Sequence, residues 1–97
     1  MNKALWVIFN PALEEKVMAA LTSAGMVKYT FFPYLHGVGK NSGPHLDTHI
    51  WPGSNMALFI AGEDTLLNAL VETLRPIKQA NLQEGLKIFM LPVEEIL

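Results

Sequence analysis

The chain has 97 residues, 51 % of them apolar and 16 % charged, with a formal net charge of -2 at neutral pH. This apolar share excludes a disordered chain, the absence of cysteine excludes a disulfide scaffold or a Cys-ligated zinc site, and the modest Gly and Pro content excludes a collagen-like repeat. Seven Lys and Arg residues are scattered singly rather than gathered in the basic patch that a nucleic-acid binder shows. No apolar stretch approaches the roughly 18 residues of a membrane span, and the N-terminus does not read as a secretory signal, so a cytoplasmic protein is expected. The length suits a single domain over residues 1–97. The charged share lies well below the usual ~25 %, although a small chain has much surface for its volume. Part of the surface is therefore expected to be buried against copies of the same chain.

In chain order, Ala4-Leu5-Trp6-Val7-Ile8-Phe9 is a continuous apolar run and predicts a central strand. Asn10-Pro11 then supplies an N-cap and a proline at the first helical position. Glu14 and Glu15 suit the dipole of that helix start. Leu13, Val17, Ala20 and Leu21 form its apolar stripe, and Gly25 closes it. Alternation from Met26 to Tyr34 predicts a second strand. Between His36 and Asn55 no periodicity survives, and a long loop over about 35–55 is expected, with Thr48-His49-Ile50-Trp51 as a short strand inside it as the alternative. Met56 to Ala61 predicts a third strand. Leu66, Leu67, Leu70, Val71 and Leu74 predict a second helix, with Glu63 or Asp64 at its start and Pro76 ending or kinking it. Lys87 to Leu91 predicts the fourth strand.

Strand, helix, strand, strand, helix, strand is the split βαβ, ferredoxin-like order of an α+β fold. Right-handed crossovers place both helices on one face of a four-stranded antiparallel sheet. The strands are apolar on both faces, so the face without helices also needs a cover. A homo-oligomer that packs through the sheets supplies it.

Three stretches resemble the nitrogen-regulatory PII signalling family and its PII-like relatives. They are Phe9-Asn10-Pro11-Ala12-Leu13-Glu14-Glu15 with the Gly25-Met26 helix exit, Gly37-Val38-Gly39-Lys40 with Gly43 and His45 beyond it, and Gly85-Leu86-Lys87-Ile88-Phe89-Met90-Leu91-Pro92-Val93-Glu94-Glu95-Ile96. The resemblance implies a homotrimer that binds a small effector, commonly an adenine nucleotide, in clefts between subunits. It implies further that the long loop relays the bound state to a regulated partner, a transporter or an enzyme. Carried over by position, Gly37, Gly39 and Lys40 would line the cleft and Lys87 would reach phosphates. The chain departs from the family where Glu84-Gly85-Leu86-Lys87 replaces Gly-Asp-Gly-Lys, and the arginine-bearing extension of the family is not found before Leu97. A divergent PII-like sensor is expected.

The residues themselves offer a second reading. All three histidines, His36, His45 and His49, fall in one stretch. In an extended segment His45, Asp47 and His49 share a face and could converge on a divalent metal ion, against the plainer reading of polar loop residues tied to backbone groups. The Gly37-Val38-Gly39 turn beside Lys40 is either an anion cradle or a loop in need of positive φ. Trp51 reads as packing under the loop, or as a stacking anchor. Lys87 is a strand-end lysine with its head in water, or a ligand contact. No nucleophile and base pair up, and no Gly-x-Ser-x-Gly elbow is present, so catalysis is not expected. The competing classes are thus a signalling module without a certain cofactor, a metal sensor or carrier, and, most distant, a small cofactor-free enzyme of ferredoxin-like fold.

Overall fold

The computed structural model describes residues 2–37 and 54–97. Its elements are β1 (Asn2–Phe9), a 3-10 turn (Pro11–Leu13), α1 (Glu14–Ser23), β2 (Thr30–His36), β3 (Ser54–Glu63), α2 (Asp64–Ala80) and β4 (Leu86–Pro92). The strands form one antiparallel sheet in the order β2-β3-β1-β4. This is the ferredoxin-like βαββαβ fold.

The strand periodicity divides the residues between two layers. Leu5, Val7 and Phe9 of β1 and Leu58 and Ile60 of β3 turn toward the helices. There they meet Leu13, Val17 and Leu21 on one side and Leu67, Leu70 and Leu74 on the other, all essentially without solvent exposure. Among the described residues no polar or charged side chain is buried. The opposite face of the sheet carries no helix among the described residues. Trp6 of β1 stands there between its cross-strand neighbours Phe59 and Phe89. Its ring meets Phe59 edge-on at 5.0 Å and Phe32 of β2 at 5.5 Å, spacings at which aromatic pairs attract.

Helix ends follow the sequence signals. The Asn10 side chain accepts a hydrogen bond from the Ala12 amide at 2.8 Å, with Pro11 opening the turn. Gly25 sits at φ 73°, a left-handed conformation that favours glycine, and the Met26 amide returns to the Leu21 carbonyl.

The structure differs from expectation in three places. β2 starts at Thr30 and runs to His36. Met26 is drawn into the core beneath α1 while Val27 and Tyr29 are exposed, so residues 26–29 form a connection and not a strand. Pro33 is tolerated because β2 is an edge strand, and its pairing with β3 shifts between Phe32 and Leu35. Of the two outcomes expected at Pro76, an end or a kink, the end does not occur, and the second helix continues to Ala80. The proline lies on the exposed face and forgoes one backbone hydrogen bond, while Leu74 and Ile77 keep the stripe packed on the core on either side of it. The Asn81 side-chain amide then donates to the Ile77 carbonyl at 2.8 Å and closes the helix. The connection between β2 and β3 is narrower than 35–55, since Leu35 and Asn55 are paired strand residues. The alternative strand at Thr48–Trp51 lies outside the described residues.

Candidate effector site at the end of the sheet

Four loops and strand ends converge at the end of the sheet where β1 finishes. Phe9 pairs with Met56 on one side and Leu86 on the other. The Asn10 amide donates to the Gly85 carbonyl at 2.9 Å, which fixes the start of β4 against the start of the first helical turn. At the far edge His36 pairs with Ser54, and Gly37 follows it beside the Asn55 side chain. A Cβ at Gly37 would stand 3.4 Å from the Asn55 amide nitrogen, at the limit of ordinary contact. Positive φ is not the reason for glycine there, since Gly25 is the positive-φ glycine among the described residues.

Of the ligand residues expected from the sequence, Gly37 and Lys87 are described, and both are exposed. Gly39 and Lys40 lie outside the described residues. So do His45, Asp47 and His49, and Trp51. His36, the remaining histidine, is exposed at the end of β2. The described residues contain no cluster of three metal-ligating side chains.

Gly37 and Lys87 do not converge within one copy. They flank opposite edges of the sheet, three strand spacings or about 14 Å apart, and Gly37 also lies further out along the strands, since Lys87 pairs with Ile8 in the row of Ala57. Leu86 explains the departure from Gly-Asp-Gly-Lys. Its side chain is 1 % exposed and belongs to the core beneath α2. The residue next to the lysine is thereby a core residue, and Lys87 and Gly85 are left to face solvent.

A feature that the sequence reading missed lies on the helix side of β4. A groove of about 470 Å³ runs between α2 and β4, with Leu5 and Leu74 in its floor and Lys78, Lys87 and Arg75 among its lining residues. Lys78 Nζ donates to the Leu86 carbonyl at 2.5 Å. Arg75 is held by Glu72 at 2.8 Å, and this hydrogen-bonded pair holds the Glu72 carboxyl below its usual range. The signal was present: Asn68, Val71, Arg75 and Lys78 recur at helical spacing beside the core stripe.

The family model for nitrogen regulatory protein P-II matches residues 2–97. The chain belongs to the P-II family. Its fold is shared with solved structures of CPII from Thiomonas intermedia K12. The structure of CPII bound to ADP, AMP and acetate is 23 % identical, with 93 % of this chain and 83 % of that chain covered at a TM-score of 0.68. The complex of CPII with ADP and bicarbonate is also 23 % identical, covering 95 % and 87 % at a TM-score of 0.65. A candidate PII-like signaling protein from Thermus thermophilus is 15 % identical, covering 92 % and 83 % at a TM-score of 0.64. No curated protein matches the chain. No helix among the described residues of this P-II chain is long and apolar enough to cross a membrane.

Proposed function

We propose that this P-II chain is a cytoplasmic, non-catalytic regulatory protein. It assembles as a homotrimer, binds a small anionic effector of the adenine-nucleotide class between subunits, and relays the bound state to a regulated transporter or enzyme through the β2–β3 connection. One observation carries the reading: Gly37 and Lys87 lie toward the same end of the sheet but flank opposite edges. A cleft that uses both is made most directly by two copies, with the β2 edge of one beside the β4 edge of the next. The uncovered face supports the assembly. Trp6, Phe32, Phe59 and Phe89 form an apolar layer there, and Phe89 is 52 % exposed in a single copy. Packing three such faces together removes that layer from water.

In the cleft, Lys87 offers an ammonium to phosphate or carboxylate oxygens, and the backbone at Gly37 allows close approach. A ligand held there restricts the segment that leaves β2, and a partner reads the restricted state. CPII was solved with ADP, AMP and bicarbonate, which selects the compounds to try first. Thermal unfolding of the metal-stripped protein against ADP, ATP, AMP, bicarbonate and divalent metals tests the reading. A nucleotide at a hundredfold excess over its Kd stabilises the folded state by about 2.7 kcal/mol. Stabilisation by a divalent metal alone would contradict the reading and move the site to His45, Asp47 and His49.

A further inference from the structure

The last turn of α2 puts a second ammonium on the outer edge of β4. The Asn10 amide donates to the Gly85 carbonyl, so Gly85 and Lys87 turn their backbone groups toward β1 while Leu86 turns its own outward. Among the described residues no strand lies beyond that edge, because β4 pairs with β1 alone. Lys78 Nζ reaches the edge and donates to the Leu86 carbonyl at 2.5 Å. It therefore stands within about 5 Å of the Lys87 backbone. The two lysines come to the edge from opposite faces. Lys78 belongs to a helix, whereas Lys87 pairs with Ile8, the neighbour of Val7 and Phe9, which face the helices. The Lys87 side chain accordingly leaves from the open face of the sheet. Both lysines, with Arg75, line the cavity of about 470 Å³ beside β4. Arg75 is paired with Glu72. Neither Lys78 nor Lys87 has a carboxylate partner among the described residues. With the Leu86 carbonyl as its acceptor, the Lys78 ammonium keeps two of its three donors for a ligand.

A cation in the last turn suits the dipole of α2, and a lysine at a sheet edge discourages pairing with another strand. Either role needs one cation. Neither accounts for Lys87 arriving at the same edge from the other face, where two ammoniums repel unless an anion lies between them. We propose that Lys78 is a second phosphate-binding residue of the effector site, and that Lys78 and Lys87 grip the phosphates of the nucleotide from the two sides of β4. The inference rests on the effector reading above and adds to it a ligand residue from α2. It also gives the contact with Leu86 a purpose. An outward carbonyl beside Lys87 would repel a phosphate, and the Lys78 ammonium covers that oxygen. The Gly85–Lys87 backbone is meanwhile held on its inner side by Asn10 and by Leu86 in the core.

Lys78→Gln tests this in the full-length protein. Glutamine keeps an N–H donor for the Leu86 carbonyl, suits a helix and drops the charge. Isothermal titration of ADP is expected to show binding about tenfold weaker than in the unaltered protein, from the loss of a charge-assisted contact. The affinity of Lys78→Gln also falls less steeply with added salt. Lys78→Arg keeps the affinity within about threefold, since it keeps the charge and the donors. The urea midpoint of Lys78→Gln stays at that of the unaltered protein, because the residue is exposed. Equal ADP affinity in Lys78→Gln and the unaltered protein overturns the proposal and leaves Lys78 as a guard of the edge. So does a loss of affinity with unchanged salt dependence, which would mean that the lysine shapes the edge without meeting the phosphates. Lys87→Ala separates the two claims. A loss of ADP binding there, with none in Lys78→Gln, leaves the effector reading standing and removes Lys78 from it. If the unaltered protein binds no ADP, the effector reading fails, and inorganic pyrophosphate decides the paired lysines by themselves. Thermal stabilisation of the unaltered protein that is lost in both Lys78→Gln and Lys87→Ala upholds the pair, and no stabilisation overturns it.

Discussion

Leu86 shows how one side chain alters a motif without altering the strand that carries it. A glycine beside a phosphate-binding lysine lets backbone and ligand approach closely. In this chain the position holds a leucine that is 1 % exposed in the core under α2. Leu86→Gly would bring the sequence nearer to Gly-Asp-Gly-Lys, but it removes a buried side chain and loosens a strand. The expected loss is about 3–5 kcal/mol of stability, checked by urea unfolding at constant m-value. A loss below about 1 kcal/mol would show that α2 and β4 repack without it. The sequence marked Leu86 as a departure and could not say why. Its burial depends on joining the core cluster formed by residues far apart in the chain, a tertiary fact that strand alternation alone does not contain. Lys87, one residue on, reads either as a strand-end lysine with its head in water or as a ligand contact, and its exposure is compatible with both.

At the scale of elements, local chemistry located most boundaries. Asn10 with Pro11, and Gly25 at positive φ, act where their side chains or backbone freedom require. The misreadings share one cause: tertiary packing outweighed a local rule. Helix α2 passes through Pro76 because Leu74 and Ile77 both pack against the core cluster, and that burial exceeds the loss of one backbone hydrogen bond. Pro76 itself is exposed. Pro76→Ala is therefore expected to stabilise the protein by about 1–3 kcal/mol by restoring the bond and removing the ring's clash with the preceding turn. Chemical denaturation checks this, and an unchanged or lowered midpoint would mean that the proline sets a bend on which the α2 packing depends. The late start of β2 has the same origin. The alternation of Val27, Tyr29 and Phe31 was a true pattern, but burying Met26 under α1 leaves residues 26–29 without a strand to pair with.

For the whole molecule, the sheet explains both the single chain and its proposed assembly. The covered face is a filled leucine-rich core without a buried polar group among the described residues, which leaves chemistry to the rim. The other face is an aromatic layer held in register by the Trp6 pairs with Phe59 and Phe89. Its need for a cover followed from the low charge and the doubly apolar strands. Phe89→Glu places a charge on that layer at a half-exposed site on the edge strand. It is expected to leave the circular dichroism of the fold unchanged and to convert the assembly to monomers in sedimentation equilibrium. An unchanged oligomer would put the interface elsewhere. What the sequence could not supply was the placement of the ligand residues relative to one another. Gly37 and Lys87 each read as cleft residues, yet only the strand order shows that they flank opposite edges. The groove beside β4 was hidden for the same reason, because it lies between elements far apart in the chain.

Isothermal titration of ADP into the protein and into Lys87→Ala tests most directly the claim that the end of the sheet is an effector site. The expected result is saturable binding at one site per chain, weakened about tenfold or more in Lys87→Ala by the loss of a charge-assisted contact to phosphate, with the oligomeric state unchanged. Equal affinity for the two proteins, or no binding at millimolar ADP, would contradict it.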